Sequence, residues 1–176
     1  MMKGKANGKS GSMKSKRLKK SRPKTYWRQK LMDGKNLPVV KKIDGKMSKR
    51  WGTGTVAIPS PAEVNALMKE VPGGKLTTIN QLRQKIAKKH RASIGCPICT
   101  GIFSWISANA AEEARLDGER NITPYWRTLK SDGAVNEKYP GGVPKQKKLL
   151  RDEGHRFANK GKKCIVLDYE KYLVDA

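Results

Sequence analysis

Thr78-Ile79-Asn80-Gln81-Leu82-Arg83-Gln84-Lys85-Ile86-Ala87-Lys88-Lys89-His90-Arg91-Ala92-Ser93-Ile94-Gly95-Cys96-Pro97 decides the fold of this chain. Thr78 and Gln81 form a capping box, so a helix starts there. Ile79, Leu82 and Ile86 recur at three- and four-residue spacing and give it one apolar face to about Lys89. Lys85, Lys88, Lys89, His90 and Arg91 crowd its end, where cations suit the helix dipole. Ser93-Ile94-Gly95-Cys96-Pro97 is a tight turn. A third helix is expected from Pro97 to about Arg115, with Ile98, Ile102, Phe103, Ile106 and Ala110 as its buried stripe. Thr100, Ser104, Ser107 and Asn109 then lie on its other faces. Two helices joined by a short glycine-containing turn are a helix-turn-helix candidate, an arrangement that lays its second helix in the DNA major groove.

Upstream, Ser60-Pro61-Ala62-Glu63 supplies an N-cap, a proline at the first helical position and a capping acid. The first helix of the domain is expected from Pro61 to about Glu70, burying Val64, Leu67 and Met68 and stopping at Val71-Pro72-Gly73-Gly74. Thr55–Ile58 reads as a strand, and Leu37, Val39, Val40 and Ile43 as a short extended piece. Tyr26, Trp27 and Leu31 suit a short helix that docks on the domain. Downstream, the loop Asp117–Asn121 leads into Thr123-Pro124-Tyr125-Trp126-Arg127-Thr128, and a glycine-punctuated loop runs to Gly142. A fourth helix is expected over Val143–Glu153, burying Leu149 and Leu150. His155–Phe157 and Cys164–Leu167 flank Asn159-Lys160-Gly161-Lys162 as a hairpin, a candidate wing, before a short helix near Tyr169–Leu173. The fold class expected is mainly α: a winged-helix-like, helix-turn-helix domain with a small C-terminal β-hairpin. It divides into a disordered basic arm (1–24), a partly ordered extension (25–58) and a DNA-binding domain (59–176).

Charge narrows the function. The 176 residues hold 39 Lys or Arg against 15 Asp or Glu, a net charge of +24. Residues 1–50 carry 18 Lys or Arg against two Asp, and residues 51–176 carry 21 against 13 acids. A basic arm on a milder basic domain is the footprint of a polyanion binder, with nucleic acid favoured. The arm lacks the apolar stripe of a membrane-surface helix. No run is long enough to span a bilayer, and no secretory signal is evident, so a cytoplasmic location is expected. Three cysteines suit reduced thiols.

From about Glu63 to Phe157 the order of motifs resembles the DNA-binding domain of the O6-alkylguanine-DNA alkyltransferases and alkyltransferase-like proteins. Val71-Pro72-Gly73-Gly74-Lys75-Leu76-Thr77-Thr78 resembles the loop entering that family's first helix-turn-helix helix. Ser93-Ile94-Gly95 stands where its second helix begins. Ser131-Asp132-Gly133-Ala134-Val135 leads to Tyr139-Pro140-Gly141-Gly142, and Leu149-Leu150-Arg151-Asp152-Glu153-Gly154-His155-Arg156 completes the series. The family's working motif is Pro-Cys-His-Arg, in which the Cys accepts the alkyl group, activated by the His and a later Glu. Here it reads Pro124-Tyr125-Trp126-Arg127, with Glu153 at the position of the Glu. A phenol is mostly protonated at neutral pH, and an indole cannot take a proton from it. The resemblance therefore implies the family's fold without its chemistry: no catalytic residue and no cofactor. It is closest in role to alkyltransferase-like proteins, which carry Trp for the acceptor Cys and mark alkylated guanine for other repair systems. The family's base-flipping arginine falls at Ala92, one place from Arg91, and its phosphate-pushing tyrosine falls at Ile79. The stretch between Gly95 and Pro124 is longer than the family's.

The candidate DNA contacts are Thr78, Arg91, Ser93, Thr100, Arg127 and Lys130. Tyr125, Trp126, Tyr139 and Glu153 would border a base pocket, where an aromatic ring could stack on an extruded base, worth about 1–3 kcal/mol. Cys96-Pro97-Ile98-Cys99 invites a zinc reading, but the other ligand candidates are His90, His155 and Cys164, with no second close pair, so no metal is expected. A redox pair at a helix N-terminus is the alternative, although no thioredoxin-like strand pattern accompanies it. The leading expectation is a monomeric, non-catalytic protein that binds double-stranded DNA, recognises alkylated guanine, and works with repair proteins rather than membranes. The alternatives are an active alkyltransferase using a relocated Cys96 or Cys99, and a general DNA- or RNA-binding protein on the same scaffold.

Overall fold

The computed structural model describes residues 25–175; the expected basic arm over 1–24 lies outside them. In chain order the helices are α1 (Tyr26–Met32), α2 (Gly45–Trp51), α3 (Pro61–Lys69), α4 (Ile79–Lys89), α5 (Pro97–Leu116) and α6 (Gly142–Asp152). The strands are β1 (Val39–Lys42), β2 (Thr55–Ile58), β3 (Thr77–Thr78), β4 (Ile94–Gly95), β5 (Thr128–Leu129), β6 (Phe157–Lys160) and β7 (Lys163–Val166). They pair as three small sheets: β1-β2-β4, with β2 and β4 parallel; β3-β5, parallel; and β6-β7, antiparallel.

The two capping signals form as read. The Ser60 hydroxyl accepts from Glu63 N–H at 3.1 Å and that of Thr78 from Gln81 N–H at 3.2 Å. The α4–α5 turn closes with Arg91 in the left-handed conformation (φ 50°), while Ala92 N–H donates to Ala87 O at 2.9 Å. That conformation disfavours any residue with a Cβ and usually falls to glycine. Gly95 is required for a different reason: a Cβ there would lie 2.4 Å from Arg83 O, so only glycine lets β4 lie this close to α4. Buried Glu63 on α3 ties down the end of α4, with Lys89 Nζ and His90 Nε2 each 2.8 Å from the same oxygen.

The central helix, α5, keeps Phe103, Ile106 and Ala110 of its expected stripe against the core but turns Ile98 and Ile102 outward. Thr100, Ser104, Ile106, Ser107, Ala108, Ala110, Ala111 and Ala114 are buried, whereas Ile98 is 56% and Ile102 48% exposed. Small side chains let α3, α4 and α1 pack closely around α5. The buried hydroxyls cost little because each donates within the helix: Thr100 to Cys96 O at 2.7 Å, Ser104 to Gly101 O and Ser107 to Phe103 O at 2.9 Å. The sequence expectation ranked side chains by size, and packing around a central helix selected for smallness instead.

Other departures are smaller. No helix was expected at α2, and Leu149 is half-buried rather than buried. The hairpin strands sit nearer their turn than expected, which leaves His155 outside the pair. The loop before it also covers the hairpin, with Val135 N–H donating to Cys164 O and Val166 N–H to Gly133 O. The extension is tied in as well: β2 pairs with β4, and α1 docks on α5 through Glu113, whose carboxylate accepts from the Trp27 and Arg28 N–H groups at 2.8–3.0 Å. Among the described residues no helix is long and apolar enough to cross a membrane.

His155 is buried with its ring edge-on to Tyr172 at 4.8 Å, and neither ring nitrogen meets a hydrogen-bond partner among the described residues. Burial holds it below the ordinary histidine value of 6.5. The unfolded chain therefore binds the proton more readily, and stability falls as pH drops through 6.5. His155→Phe should flatten that part of the pH–stability curve in urea titrations and raise stability by about 1 kcal/mol at pH 6.

Candidate nucleic-acid interface

Tyr125–Arg127 form one turn of 3-10 helix between Pro124 and β5. Parallel pairing of β3 with β5 sets this turn beside the Val71–Gly74 loop. The Glu153 carboxylate, at the end of α6, gathers the pieces. It accepts from Trp126 Nε1 at 2.8 Å, from Arg127 Nε at 3.0 Å and Nη2 at 2.7 Å, and from Gly74 N–H at 3.2 Å. Arg127 Nη1 also donates to Val71 O at 2.7 Å. Burial opposes ionisation of Glu153, but the Arg127, Trp126 and Gly74 hydrogen bonds outweigh it and hold the carboxyl below its usual range. On the other side of the turn, the buried Gln146 amide donates to Trp126 O at 2.9 Å and accepts from Asn136 N–H at 2.7 Å.

This geometry corrects the expected base pocket. Tyr125 is 1% and Tyr139 2% exposed, their rings edge-to-face at 5.6 Å inside the main core. Trp126 packs edge-on against Tyr125 at 5.5 Å and fills the space beside it. The Tyr125 hydroxyl donates to Glu112 at 3.4 Å; burial and the Glu112 charge push its phenol well above the ordinary value. Burial likewise moves Tyr139 up to about 12. Neither phenol is a nucleophile at neutral pH, and Glu153 has no oxygen to spare for a base.

Three expected DNA contacts are corrected too. Thr100 is 0% exposed and bonded within α5. Thr78 is buried as the α4 cap. Arg127 is committed to Glu153 and Val71. Arg91 and Ser93 remain on the surface. The Ser93 hydroxyl accepts from Thr55 N–H at 3.0 Å and lines a shallow cavity of about 280 Å³ with Asn80, Arg83 and Gln84. Lys130 is half-buried and ion-paired with Glu137.

The open surface lies where the sequence expectation placed core. Ile98, Gly101, Ile102 and Trp105 on α5 face Lys130, Asn136, Glu137 and Lys138 across a cleft of about 540 Å³. From Pro97 to Ala111, α5 carries no charged residue. This face is apolar and uncharged, with Lys138 exposed at its edge and Lys130 held by Glu137. The signal for it was the second stripe, Thr100-Ser104-Ser107-Ala111-Ala114, at helical spacing: once small residues claim the core, Ile98 and Ile102 point outward while Ile106 stays buried.

No protein-family model and no curated protein matches the chain. Two solved structures from S. pombe are similar to it. One is Atl1 in complex with damaged DNA containing O6-carboxymethylguanine, with 17% identity, 66% of this chain and 94% of that one covered, and a TM-score of 0.49. The other is ATL in complex with DNA, with 19% identity, the same coverage, and a TM-score of 0.41.

Removing the hub carboxylate should leave Arg127 buried without its counter-charge. Glu153→Ala is expected to lower stability by about 3–5 kcal/mol, read as a shift of the urea midpoint. Arg127→Ala in the same chain should add much less than its own single-variant cost.

Proposed function

We propose that this chain is a non-catalytic DNA-binding protein of the alkyltransferase-like kind, whose contact surface is the exposed apolar face of α5. The observation that carries this reading is the Ile98–Ile102–Trp105 face bordered by Lys130 and Lys138, in a chain of net charge +24. A helix entering the major groove reads base edges with Arg, Lys, Asn or Gln. This face offers none: Asn109, the helix's polar candidate, donates to Trp105 O at 2.8 Å. Isoleucine wedges suit the minor groove, where apolar side chains part base steps and bend the duplex. That mode replaces the major-groove docking expected of a helix-turn-helix.

Arg91 supports the reading independently. It is exposed in a left-handed conformation where glycine would be at ease, and backbone strain of this kind clusters at functional positions. An unstacked base would enter the α5 cleft and lie on Trp105, not on Tyr125. The order of motifs from Val71 to Arg156 points to alkylated guanine as that base. Repair proteins would act on the marked site, since no nucleophile stands in the place of the acceptor cysteine. A second reading is favoured by the filled space around Tyr125: a scaffold that binds duplexes generally and has given up lesion selection.

Fluorescence anisotropy against duplexes with and without O6-methylguanine, and against RNA, at two salt concentrations distinguishes them. Tighter binding to the lesion is the expected outcome; equal affinity for both duplexes leaves only the general reading. Ile102→Glu should weaken duplex binding about tenfold or more, by loss of about 1.5–3 kcal/mol of apolar burial. Arg91→Gly should weaken binding while keeping or raising stability by about 1 kcal/mol. Intact mass after incubation with the lesion should be unchanged; a gain of about 14 Da on a cysteine would establish an alkyltransferase instead.

A further inference from the structure

Cys96 and Cys99 stand apart from the surface described above. Cys96 is the N-cap of α5, and the Cys99 N–H donates to its sulfur at 3.4 Å. Side chains at the N-cap and three residues later face one another, which is the geometry of a capping box. Here that geometry brings two sulfurs together at the start of a 20-residue helix. The chain enters it from β4, which runs parallel to β2, and Cys96 N–H donates to Ala57 O at 2.8 Å.

Access comes from the opposite side. Cys96 is only 4% exposed, but it lines a cavity of about 380 Å³ with Met47, Trp51, Val56 and Ile58, and with Lys41 and Lys42. This cavity, which Asp44 also lines, has the volume for a small hydroperoxide. All three cysteines are free thiols, and Cys164 lies in a different core cluster, away from this cavity. Among the described residues, no group of three or more His, Cys, Asp or Glu could hold a metal ion.

We propose that Cys96 and Cys99 form a redox-active dithiol that reduces small hydroperoxides entering by the Met47–Trp51 cavity. The Cys96 thiolate attacks one peroxide oxygen; an S–O bond forms as the O–O bond breaks, and the departing alkoxide or hydroxide takes a proton from water. The product is a Cys96 sulfenic acid. Cys99 then loses its proton and its sulfur attacks the Cys96 sulfur. The S–S bond forms, the S–O bond breaks, and the leaving hydroxide becomes water with the proton from Cys99. Two thiols are oxidised and one hydroperoxide is reduced to an alcohol and water. An external dithiol restores the pair.

The electrostatics divide the labour in that order. The Cys99 thiol hydrogen bond, the N–H groups of Cys99 and Ile98, and the Arg83 charge bring Cys96 down to about 6 despite burial. The same hydrogen bond and burial push Cys99 up, so it stays a thiol until a sulfenic acid forms beside it. This inference does not depend on DNA binding.

The test uses the full reduced chain with one equivalent of hydrogen peroxide or cumene hydroperoxide. The expected result is loss of two thiols and about 2 Da, a Cys96–Cys99 linked peptide, and Cys164 still free. Cys99→Ser should instead trap a dimedone-reactive sulfenic acid at Cys96. The oxidation rate of that variant should exceed the rate at Cys164 by about tenfold or more at pH 7, as expected for a thiolate-rich cysteine. In the wild type the rate should level off below the ordinary thiol value of 9, because the hydrogen bonds to Cys96 favour its thiolate. Oxidation of Cys164 as fast as Cys96, or absence of the linked peptide in the wild type, would overturn the proposal.

Discussion

The body of this protein closes around one carboxylate. Glu153 ends α6, and its two oxygens collect the indole N–H of Trp126, the guanidinium of Arg127 and the backbone of Gly74. The Trp126–Arg127 turn, the Gly74 loop and the end of α6 are far apart in sequence, so this short-range contact fixes long-range topology. Trp126 also packs against both principal cores, the helical one around Met68 and Leu82 and the smaller one around Leu129 and Leu150. The turn Tyr125–Arg127 is therefore a keystone between two cores. In the family that the sequence resembles, the same stretch carries the chemistry. In this chain the Trp126 and Arg127 side chains direct their hydrogen bonds inward, to Glu153 and Val71 O.

A second constraint follows from α5. A helix surrounded on three sides cannot present large side chains to all its neighbours. Serine, threonine and alanine fill the tight contacts, with their hydroxyls satisfied by the helix itself. Ile98 and Ile102, unlike buried Ile106, are displaced to the outside, where they line a cleft with Lys130 and Lys138. Packing economy in the core and an apolar interface on the surface thus have one cause.

Local signals were legible in the sequence. Ser60 and Thr78 cap their helices as read, Pro61 and Pro97 open theirs, and the stop at Pro72–Gly74 is where the residues put it. These depend on neighbours within a turn or so. Most of the errors concern partners far away in sequence. Trp126 and Glu153 are 27 residues apart, and nothing in either segment announces that they bond. Thr100 read as a surface hydroxyl because the helices packed over it appear only in three dimensions. Ile98 and Ile102 read as core because size was the only criterion that a single helix offers. Arg91, named in the sequence as a candidate DNA contact, is exposed, and its left-handed backbone needed coordinates to be seen.

The Glu113 clasp on α1 has a geometric consequence. It holds the amides of Trp27 and Arg28 near one end of α5, while Ile98 stands near the other. Fifteen residues of α-helix separate them, about 22 Å at 1.5 Å per residue. One base step rises about 3.4 Å, so on the DNA reading this length would match between six and seven base pairs. On that reading, the lysine-rich N-terminal sequence joins the body at one end of α5 and the wedge sits at the other. Charge and wedge would then address different steps of the same duplex, and changes in footprint length would report on the clasp rather than on either contact alone.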